Sequence, residues 1–303
     1  MFIAKYHLAA LGIYNGYTKK MNSDDQRPKK YIVAVSGGID SVVLLDMLAM
    51  QPDLDIVVAH FDHGIREDSH EDALFVGALA KKYNLPFESD RRELGPSASE
   101  DTARQARYGF LRQVAKKHSA RLVTAHHSDD IIETIAINHS RGTGWRGLAV
   151  HDSDVLRPLS NVSKAMITEY ALRRGLEWRE DSTNAGNAYL RNRLRRRIAT
   201  LPEKTKEKLI DLRKQQVHIK KQIEQETAKL AGEGPYSRYF FTHASKQAAM
   251  EVLRRVTAAK LTRPQLERSL LAIKTYQSGT TYQAGKQIEL LFTSRQFDVK
   301  LVK

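Results

Sequence analysis

The feature that most constrains this chain is a glycine turn between a short apolar strand and a helix. From Tyr31 the sequence reads YIVAVSGGIDSVVLLDMLAM, a β-branched run followed by the turn Ser36–Ser41 and by apolar residues at helical spacing. Two glycines in such a turn let backbone N–H groups close around an anion, and the positive end of the following helix adds to the attraction. The pattern predicts a phosphate-binding loop.

This loop differs from the two commonest phosphate-binding loops. No lysine follows the glycines, which excludes the GxxxxGK[ST] loop, and the spacing is not that of the dinucleotide-binding GxGxxG loop. Asp40 lies inside the turn, where its charge would repel a bare phosphate. We therefore expect a Mg²⁺ ion between Asp40 and the phosphates. The alternative is an ordinary glycine turn.

Strand-like and helix-like segments alternate through the first half of the chain. After the glycine turn, DIVVAHFDHG, PFESD and RLVTAHH are predicted strands, and predicted helices run over 70–83, over 99–118 and from about Ser128. Such alternation predicts an α/β fold, a doubly wound parallel sheet with helices on both faces. Ligands of these sheets bind at the carboxyl ends of the strands.

The second half of the chain changes character. A helix is predicted from Ser163 to about Arg174, and a long polar helix over 203–231 ends at the sequence GEGP. Two amphipathic helices and strand-like alternation then predict a small α+β domain. The predicted organisation has four parts: an N-terminal extension (1–29), a catalytic domain (30–202), a helical linker (203–232) and a small C-terminal domain (233–303).

Composition limits the chemistry and suggests the partner. The 303 residues include 49 Lys and Arg against 35 Asp and Glu, a net charge of +14, which favours a polyanionic partner. The chain has no cysteine, which excludes disulfides, thiolate zinc sites and Cys-ligated iron–sulfur clusters. No run of 18 apolar residues occurs, so we expect no membrane span and a cytoplasmic location.

Further motifs lie where predicted strands end or on the helices that follow. They are HFDHGIR (60–66), ARQARY (103–108), AHHSDDIIET (125–134), RGTGWRG (141–147), RPL (157–159), EDSTN (180–184) and LRNRLR (190–195). With the glycine turn, they resemble the tRNA(Ile)-lysidine synthetase family, part of the pyrophosphate-loop ATP pyrophosphatase superfamily. The resemblance covers about 30–201. The sulfur-transferring branch of that superfamily is set aside because this chain has no cysteine.

The resemblance implies a carbon–nitrogen ligase with ATP and Mg²⁺ as cofactors. In that family, O2 of the wobble cytidine of a tRNA(Ile) with a CAU anticodon attacks the α-phosphate of ATP, which releases pyrophosphate. The amine of free L-lysine then displaces AMP and gives lysidine. The resemblance also implies that the small C-terminal domain binds tRNA. A homodimer is left open.

The predicted nucleotide site includes the whole glycine turn. It consists of Ser36, Gly37, Gly38, Ile39, Asp40, Ser41 and His60. By family resemblance, Asp40 holds Mg²⁺ and Arg107 stabilises charge on the transferred phosphoryl group. Arg104, one turn earlier on the same predicted helix, is the rival of Arg107.

By the same resemblance, Asp130 and Glu133 bind the lysine substrate. They are three residues apart at a helix start, so both carboxylates can face one pocket, and the alternative is that they only cap the helix. Ile131 departs from the family, which commonly has glutamine there. The histidines His60, His63, His126 and His127 could suggest a transition metal, but we expect them to line the nucleotide pocket.

The segment 173–221 carries most of the positive charge, with 15 Lys and Arg against 6 Asp and Glu. Arg195 matches a family arginine near the reaction centre. Arg191, Arg193, Arg196 and Arg197 are predicted to bind tRNA phosphates, although such a run is often only a solvated helix face. Two other functions stay open at this point, a small-molecule amidating synthetase of the same superfamily and a non-catalytic RNA-binding protein.

Overall fold

The computed structural model describes residues 30–64, 69–95, 99–150, 154–180 and 190–302. The chain divides into two compact units, Met1–Lys214 and Gln215–Lys303. This division falls inside the segment predicted as a helical linker, and the finer domain boundaries stay a prediction.

A four-stranded parallel sheet forms the centre of the first unit. Its strands are β1 (Lys30–Ala34), β2 (Asp55–Asp62), β3 (Phe87–Arg91) and β4 (Arg121–Val123). They lie in the order β3-β2-β1-β4, and all three pairings are parallel. The strands β2 and β3 therefore lie on one side of β1, and β4 lies on its other side, so the order in which strands are added reverses at β1. That point is where α/β sheets of this class bind ligands, and the glycine turn lies there.

Helices cover both faces of this sheet because alternate strand residues are apolar. Val33 packs with α1 (Ile39–Ala49), whereas its neighbour Ile32 packs on the other face with α3 (Glu100–Lys117). Both side chains are completely buried. The α/β fold with helices on both faces, predicted from the sequence, is confirmed.

Three further helices of the first unit follow the local signals in the sequence. They are α2 (Ser69–Lys82), α4 (Ser128–Ser140) and α5 (Lys164–Arg174). Ser99 caps α3 by accepting a hydrogen bond from the N–H of Thr102 at 3.1 Å, and Ser163 caps α5 through the N–H of Met166 at 3.4 Å. These serines fix where the helices begin.

The arginine-rich stretch contains a helix that the sequence patterns did not predict. This helix, α6 (Leu190–Ala199), packs on α4 through Leu194 and Ile198, which are four residues apart. Ile131 of α4 lies in the same apolar cluster and is completely buried. The departure from the family at Ile131 therefore affects packing against α6, because this side chain faces the core.

The long helix α7 (Glu203–Ala231) matches its predicted bounds and contains the boundary between the two units. The second unit holds the short strand β5 (Tyr236–Ser237) and three helices, α8 (Arg238–His243), α9 (Lys246–Val256) and α10 (Arg263–Thr275). Its remaining strands are β6 (Thr281–Gly285), β7 (Ile288–Phe292) and β8 (Gln296–Leu301), which form an antiparallel sheet in the order β5-β8-β7-β6. The predicted small α+β domain is thus present.

None of the helices in the described part of the chain combines the length and the apolar character needed to cross a membrane.

Candidate active site

A cavity of about 460 Å³ lies at the carboxyl ends of β1, β2 and β4. It is lined by the glycine turn, by the end of β2, by the residues that follow β4, and by α3. Asp40, His60, Arg107 and Asp130 all line it. Residues from four separate stretches of sequence therefore meet where the topology of the sheet predicts a ligand.

The glycine turn forms an open cradle of backbone donors. Gly37 has φ of 92°, a conformation that glycine adopts without strain. The hydroxyl of Ser41 accepts a hydrogen bond from the N–H of Ser36 at 3.1 Å and donates to the carbonyl of Gly38 at 2.8 Å, which holds the turn closed. Within the described residues, the N–H groups of Gly37, Ile39 and Asp40 have no acceptor. Such a cradle fits a phosphate.

Ile39 takes part in this cradle only through its backbone. Its side chain is partly buried and packs against the apolar cluster between the sheet and α1. We therefore expect Ile39 to bind nucleotide through its N–H group and not through its side chain.

His60 lines the cavity and has one ring nitrogen without a hydrogen-bond partner among the described residues. Its Nδ1 lies 2.9 Å from the carbonyl oxygen of Val35, so Nδ1 carries the proton, and Nε2 of the neutral ring is an acceptor. Nε2 is buried without a hydrogen-bond partner among the described residues. An amino or hydroxyl group of a bound nucleotide would satisfy it.

Asp40 is already paired with a lysine that the sequence motifs did not identify. The ammonium of Lys164, the first residue of α5, donates to Oδ1 of Asp40 at 2.6 Å. On the other side, Nε2 of His127 lies 3.8 Å from Oδ2 of Asp40 and 3.5 Å from Oδ2 of Asp130. His127 thus stands between the carboxylate predicted to hold Mg²⁺ and the first carboxylate predicted to bind lysine.

The structure separates the two candidate arginines of α3. Arg107 lines the cavity beside the glycine turn, whereas Arg104 lines a second cavity of about 580 Å³, and Tyr108 lines both. Burial lowers the pKa of Arg107, and Arg104 lowers it further. Within the described part of the chain, no carboxylate lies within ion-pair distance of Arg107. A half-buried cation without a counter-ion is suited to an anionic ligand.

Asp130 and Glu133 have different surroundings. The carboxylate of Asp130 accepts a hydrogen bond from the N–H of His127 at 3.0 Å and so caps α4, and it also lines the cavity. Glu133 is not among the lining residues; its side chain is 4% exposed, and Nε of Arg195 lies 3.2 Å from its Oε2. The expectation that both carboxylates face one pocket therefore needs correction, because Glu133 lies one turn further along α4, where α6 covers it.

Burial raises the pKa of Glu133 to about 7, although Arg195 opposes the shift; Asp130 adds to it. A carboxyl group with this pKa exchanges a proton near neutral pH. The physical cause is its position beneath α6, where charge is poorly solvated.

The predicted RNA-binding arginines lie on α6. Arg193, Arg196 and Arg197 are exposed, while Arg195 turns towards Glu133 and is about half exposed. The side chain of Arg191 lies outside the described residues. The structure thus divides this run into one arginine at the candidate site and three on the surface.

Arg179 connects the segment before α6 to the glycine turn. Its N–H donates to the carbonyl of Gly37 at 3.0 Å, and its guanidinium contacts Asp72 at 2.5 Å and Glu71 at 2.8 Å at the start of α2. Asp72 lines the cavity. Arg179 therefore links the glycine turn to the start of α2.

In the described ranges, no group of three His, Cys, Asp or Glu side chains is arranged to hold a metal ion. A magnesium ion does not require one, because it is commonly held by one or two carboxylates together with the substrate's phosphates. The carboxylate of Asp40 beside the open N–H cradle fits such an ion.

A family model described as a PP-loop domain matches residues 13–202. The chain belongs to the PP-loop domain family. The match begins inside the segment predicted as an N-terminal extension and ends where the predicted catalytic domain ends. The glycine turn that begins α1 therefore corresponds to the loop from which the PP-loop family takes its name.

Curated relatives within the PP-loop family are tRNA(Ile)-lysidine synthases. The protein from Solibacter usitatus is 42% identical over 169 residues, which cover 54% of this chain and 38% of that protein. The protein from Thermotoga maritima is 38% identical over 184 residues, which cover 56% of this chain and 44% of that protein. The matched part thus spans less than half the length of these relatives.

A solved PP-loop structure has the same fold. The U34-tRNA thiolase NcsA from Methanococcus maripaludis superposes with a TM-score of 0.50 at 13% identity, over 70% of this chain and 80% of that one. At this identity the likeness concerns the fold alone. That protein carries a [4Fe-4S] cluster, whereas this chain has no cysteine to bind one.

Sequence reasoning missed two residues of this PP-loop site, Lys164 and Arg179. Lys164 follows shortly after the RPL motif, but nothing in its local sequence indicates a partner 124 residues away. Arg179 immediately precedes the EDSTN motif, and its contacts with α2 are equally distant in sequence.

Proposed function

We propose that this protein is a tRNA(Ile)-lysidine synthetase, which uses ATP to join free L-lysine to C2 of the wobble cytidine of a tRNA(Ile) with a CAU anticodon. The observation that carries this proposal is one cavity that combines an open N–H cradle, a carboxylate beside it, and a cation that has no counter-ion in the part of the chain that the structure describes. The relatives' names supply the substrate class.

In the first step, the cytidine O2 attacks the α-phosphorus of ATP, and the bond from that phosphorus to the bridging oxygen of pyrophosphate breaks. The N–H groups of Gly37, Ile39 and Asp40 bind the departing phosphates in place of water. Arg107 is assigned to the charge that develops on the α-phosphoryl oxygens, because it lines the same cavity and no carboxylate of the described residues lies within ion-pair distance of it. A magnesium ion, bound by Asp40, would neutralise the phosphates and orient them for this displacement.

In the second step, the lysine amine attacks C2 of the adenylated cytidine, the C2–O2 bond breaks, and AMP leaves. The amine must first lose a proton. Asp130 reaches the cavity and is assigned to bind the ammonium and to accept that proton. Glu133, buried beside Arg195 one turn further along α4, is assigned a supporting place behind Asp130. Arg195 is assigned to hold Glu133 in place and to keep its pKa from rising further.

The proposed RNA contacts lie on α6, which joins this site to the surface. Arg193, Arg196 and Arg197 are exposed there, and phosphate contacts from such a helix position the RNA without reading its sequence. Arg191 and the small C-terminal unit are included in the proposed RNA-binding surface from the sequence alone. A cytoplasmic location and a homodimer stay predictions.

The test is release of AMP from ATP, measured with and without lysine and with and without a tRNA(Ile) transcript that carries a CAU anticodon. We expect release only when both are present, and a product nucleoside heavier than cytidine by one lysine less one water. AMP release that needs no tRNA would favour an amidating synthetase, and tRNA binding without AMP release would favour a non-catalytic RNA-binding protein.

Asp40→Asn should abolish this release while tRNA binding stays within about threefold of wild type, because Asp40 serves the phosphates and not the RNA. The matched control is Asp53→Asn, at an exposed aspartate outside the cavity lining. Equal loss of tRNA affinity in Asp40→Asn would contradict this assignment.

A further inference from the structure

Arg179 contacts the glycine turn through its backbone and α2 through its side chain. Its N–H group donates to the carbonyl of Gly37 at 3.0 Å. Its guanidinium donates to Asp72 through Nε at 2.5 Å and to Glu71 through Nη2 at 2.8 Å, and both acids lie in the first turn of α2. One residue thus joins the cradle to the first turn of the next helix.

The bond from Arg179 fixes the peptide group between Gly37 and Gly38. A trans peptide is planar, and its N–H group points away from its carbonyl oxygen. The N–H of Gly38 donates to Oγ of Ser36 at 3.4 Å. Ser36 and Gly38 line the cavity, whereas Gly37 is not among the lining residues. The carbonyl oxygen that Arg179 holds therefore lies on the far side of this peptide from Ser36 and the cavity.

This peptide group can turn over easily when nothing holds it. A glycine stands on each side of it, so the rotation brings no Cβ into contact with the backbone. A Cβ on Gly37 would meet the ring of Phe75 at 3.5 Å, an ordinary contact, so glycine is needed there for its backbone freedom and not for space. After the rotation, the carbonyl oxygen of Gly37 would face the phosphate position and repel an anion.

The guanidinium of Arg179 decides where its N–H group lies. On the N-terminal side, Leu176 and Trp178 pack in the apolar cluster between the sheet and α1, which anchors the chain as far as Trp178. On the C-terminal side, Glu180 is exposed. The ion pairs with Asp72 and Glu71 therefore hold the chain where it passes the glycine turn.

We propose that Arg179 is a positioning residue for the nucleotide: its ion pairs with α2 hold its N–H group against Gly37, and this contact keeps the peptide between Gly37 and Gly38 in the form that accepts phosphates. The proposal rests on the proposed use of ATP and adds to it the contact that sets the shape of the cradle. Arg179 itself touches no phosphate. Asp72 lines the cavity, where its charge disfavours an anion, and its role is to anchor Arg179.

Asp72→Ala separates this role from a simple effect of charge, because the two predict opposite signs. If charge alone matters, removal of a carboxylate from the cavity wall should strengthen the binding of an anion. If Asp72 anchors Arg179, the same change should weaken it. We expect the dissociation constant for inorganic pyrophosphate to rise at least about threefold, because a smaller fraction of the protein has the accepting cradle. It is measured by calorimetry on the full chain with Mg²⁺.

Arg179→Met removes both ion pairs and should raise the same dissociation constant about 5- to 10-fold. The double variant Arg179→Met/Asp72→Ala should stay within about threefold of Arg179→Met, because both changes break one contact and their effects do not add. The matched control is Arg173→Met, at an exposed arginine of α5 that pairs with Glu169, and it should resemble wild type.

A second measurement needs no variant and so does not depend on folding. Coupling between two sites is reciprocal, so a contact that favours phosphate binding must be stabilised when phosphate binds. The amide proton of Arg179 should therefore exchange with solvent about 5- to 10-fold more slowly when pyrophosphate and Mg²⁺ are bound. The amide of Gly175, which donates to the carbonyl of Leu172 at the end of α5, is the control and should not change. NMR of the ¹⁵N-labelled protein follows both protons.

The outcomes separate this proposal from the function on which it rests. Unchanged or tighter pyrophosphate binding in Asp72→Ala would overturn the proposal and leave the ATP site intact. Recovery of wild-type affinity in the double variant would assign Arg179 to charge neutralisation and would also overturn it, as would exchange at the Arg179 amide that does not slow. If wild type binds neither pyrophosphate nor ATP, the proposed function fails as well.

Discussion

Glu133 gives the sharpest prediction, because its pKa connects the stability of the protein to the burial of this carboxyl group beneath α6. The native pKa is about 7, whereas the ordinary value is 4.5, and the main cause is burial. Between these two pH values the unfolded chain has lost the proton that the folded protein retains. Stability therefore falls as pH rises from about 4.5 to about 7 and changes no further above that window. A shift of this size corresponds to about 3 kcal/mol.

The perturbation is Glu133→Gln, which keeps the shape of the protonated side chain and cannot ionise. The free energy of unfolding of this variant should lack the fall that wild type undergoes. Relative to wild type, the variant should therefore gain about 3 kcal/mol between pH 4.5 and pH 8. Other groups titrate equally in both proteins, so their effects cancel in this difference.

Arg195→Met is the companion variant. Arg195 lowers the pKa of Glu133, so its removal should raise that pKa above 7 and extend the fall in stability to higher pH. The direction is opposite to that of Glu133→Gln, and a general effect of disturbing α6 would not produce it.

Urea unfolding followed by tryptophan fluorescence measures these differences in unfolding free energy for the compact unit that contains Glu133. Both tryptophans, Trp145 and Trp178, lie in the first unit, which also contains the site. If the unfolding free energies of wild type and Glu133→Gln differ by a constant amount across this pH range, within about 1 kcal/mol, the pKa of about 7 for Glu133 is refuted.

Three other predictions concern separate parts of the first unit. Arg107→Ala should lower kcat by about 100-fold or more, as expected for a lost contact to developing charge, while Arg104→Ala should cost less than about tenfold; steady-state AMP release compares them. Asp46→Ala should cost about 3 kcal/mol in urea unfolding, because buried Asp46 accepts hydrogen bonds from two tyrosines and an arginine, whereas exposed Asp53→Ala should cost under about 0.5 kcal/mol. Loss of the exposed arginines of α6 should flatten the salt dependence of tRNA binding by about 0.7 to 0.9 log units per contact, and loss of three exposed lysines elsewhere should not. That comparison uses Arg193, Arg196 and Arg197 against Lys81, Lys82 and Lys116, all changed to Ala.

The elements that could be predicted from the sequence are those with local causes. The strands β1 and β2 contain β-branched runs, and α3 and α5 begin beside serines whose hydroxyls accept the first free N–H groups. The position of the glycine turn at the edge of the sheet also follows, because parallel strands present their carboxyl ends together. The glycine turn and the fold around it could therefore be predicted without knowledge of contacts between distant residues.

The elements that could not be predicted depend on contacts between distant residues. Helix α6 has few apolar residues. Its apolar side chains Leu194 and Ile198 are buried because they pack against α4, which the local sequence does not reveal. Arg104 and Arg107 share one side of a helix by spacing, yet α3 turns them into different cavities. Glu133 and Asp130 likewise share a side, but the arrival of α6 buries only Glu133.

In three of these distant ion pairs, the carboxylate comes before its cationic partner in the sequence. The carboxylates Asp40, Asp72 and Glu133 lie on α1, α2 and α4, and the cations that pair with them, Lys164, Arg179 and Arg195, all belong to the segment that follows α4. A charged ligand that enters the cavity therefore meets two carboxylates that are already paired, Asp40 and Asp72. When a ligand displaces one side chain of such a pair, the other is left with a partly buried charge. That charge stays uncompensated unless the ligand carries the same sign of charge as the side chain that it displaced. The Asp40–Lys164 pair borders the cavity through Asp40, whereas neither Glu133 nor Arg195 lines it, so a cation that enters the cavity competes with Lys164 and not with Arg195.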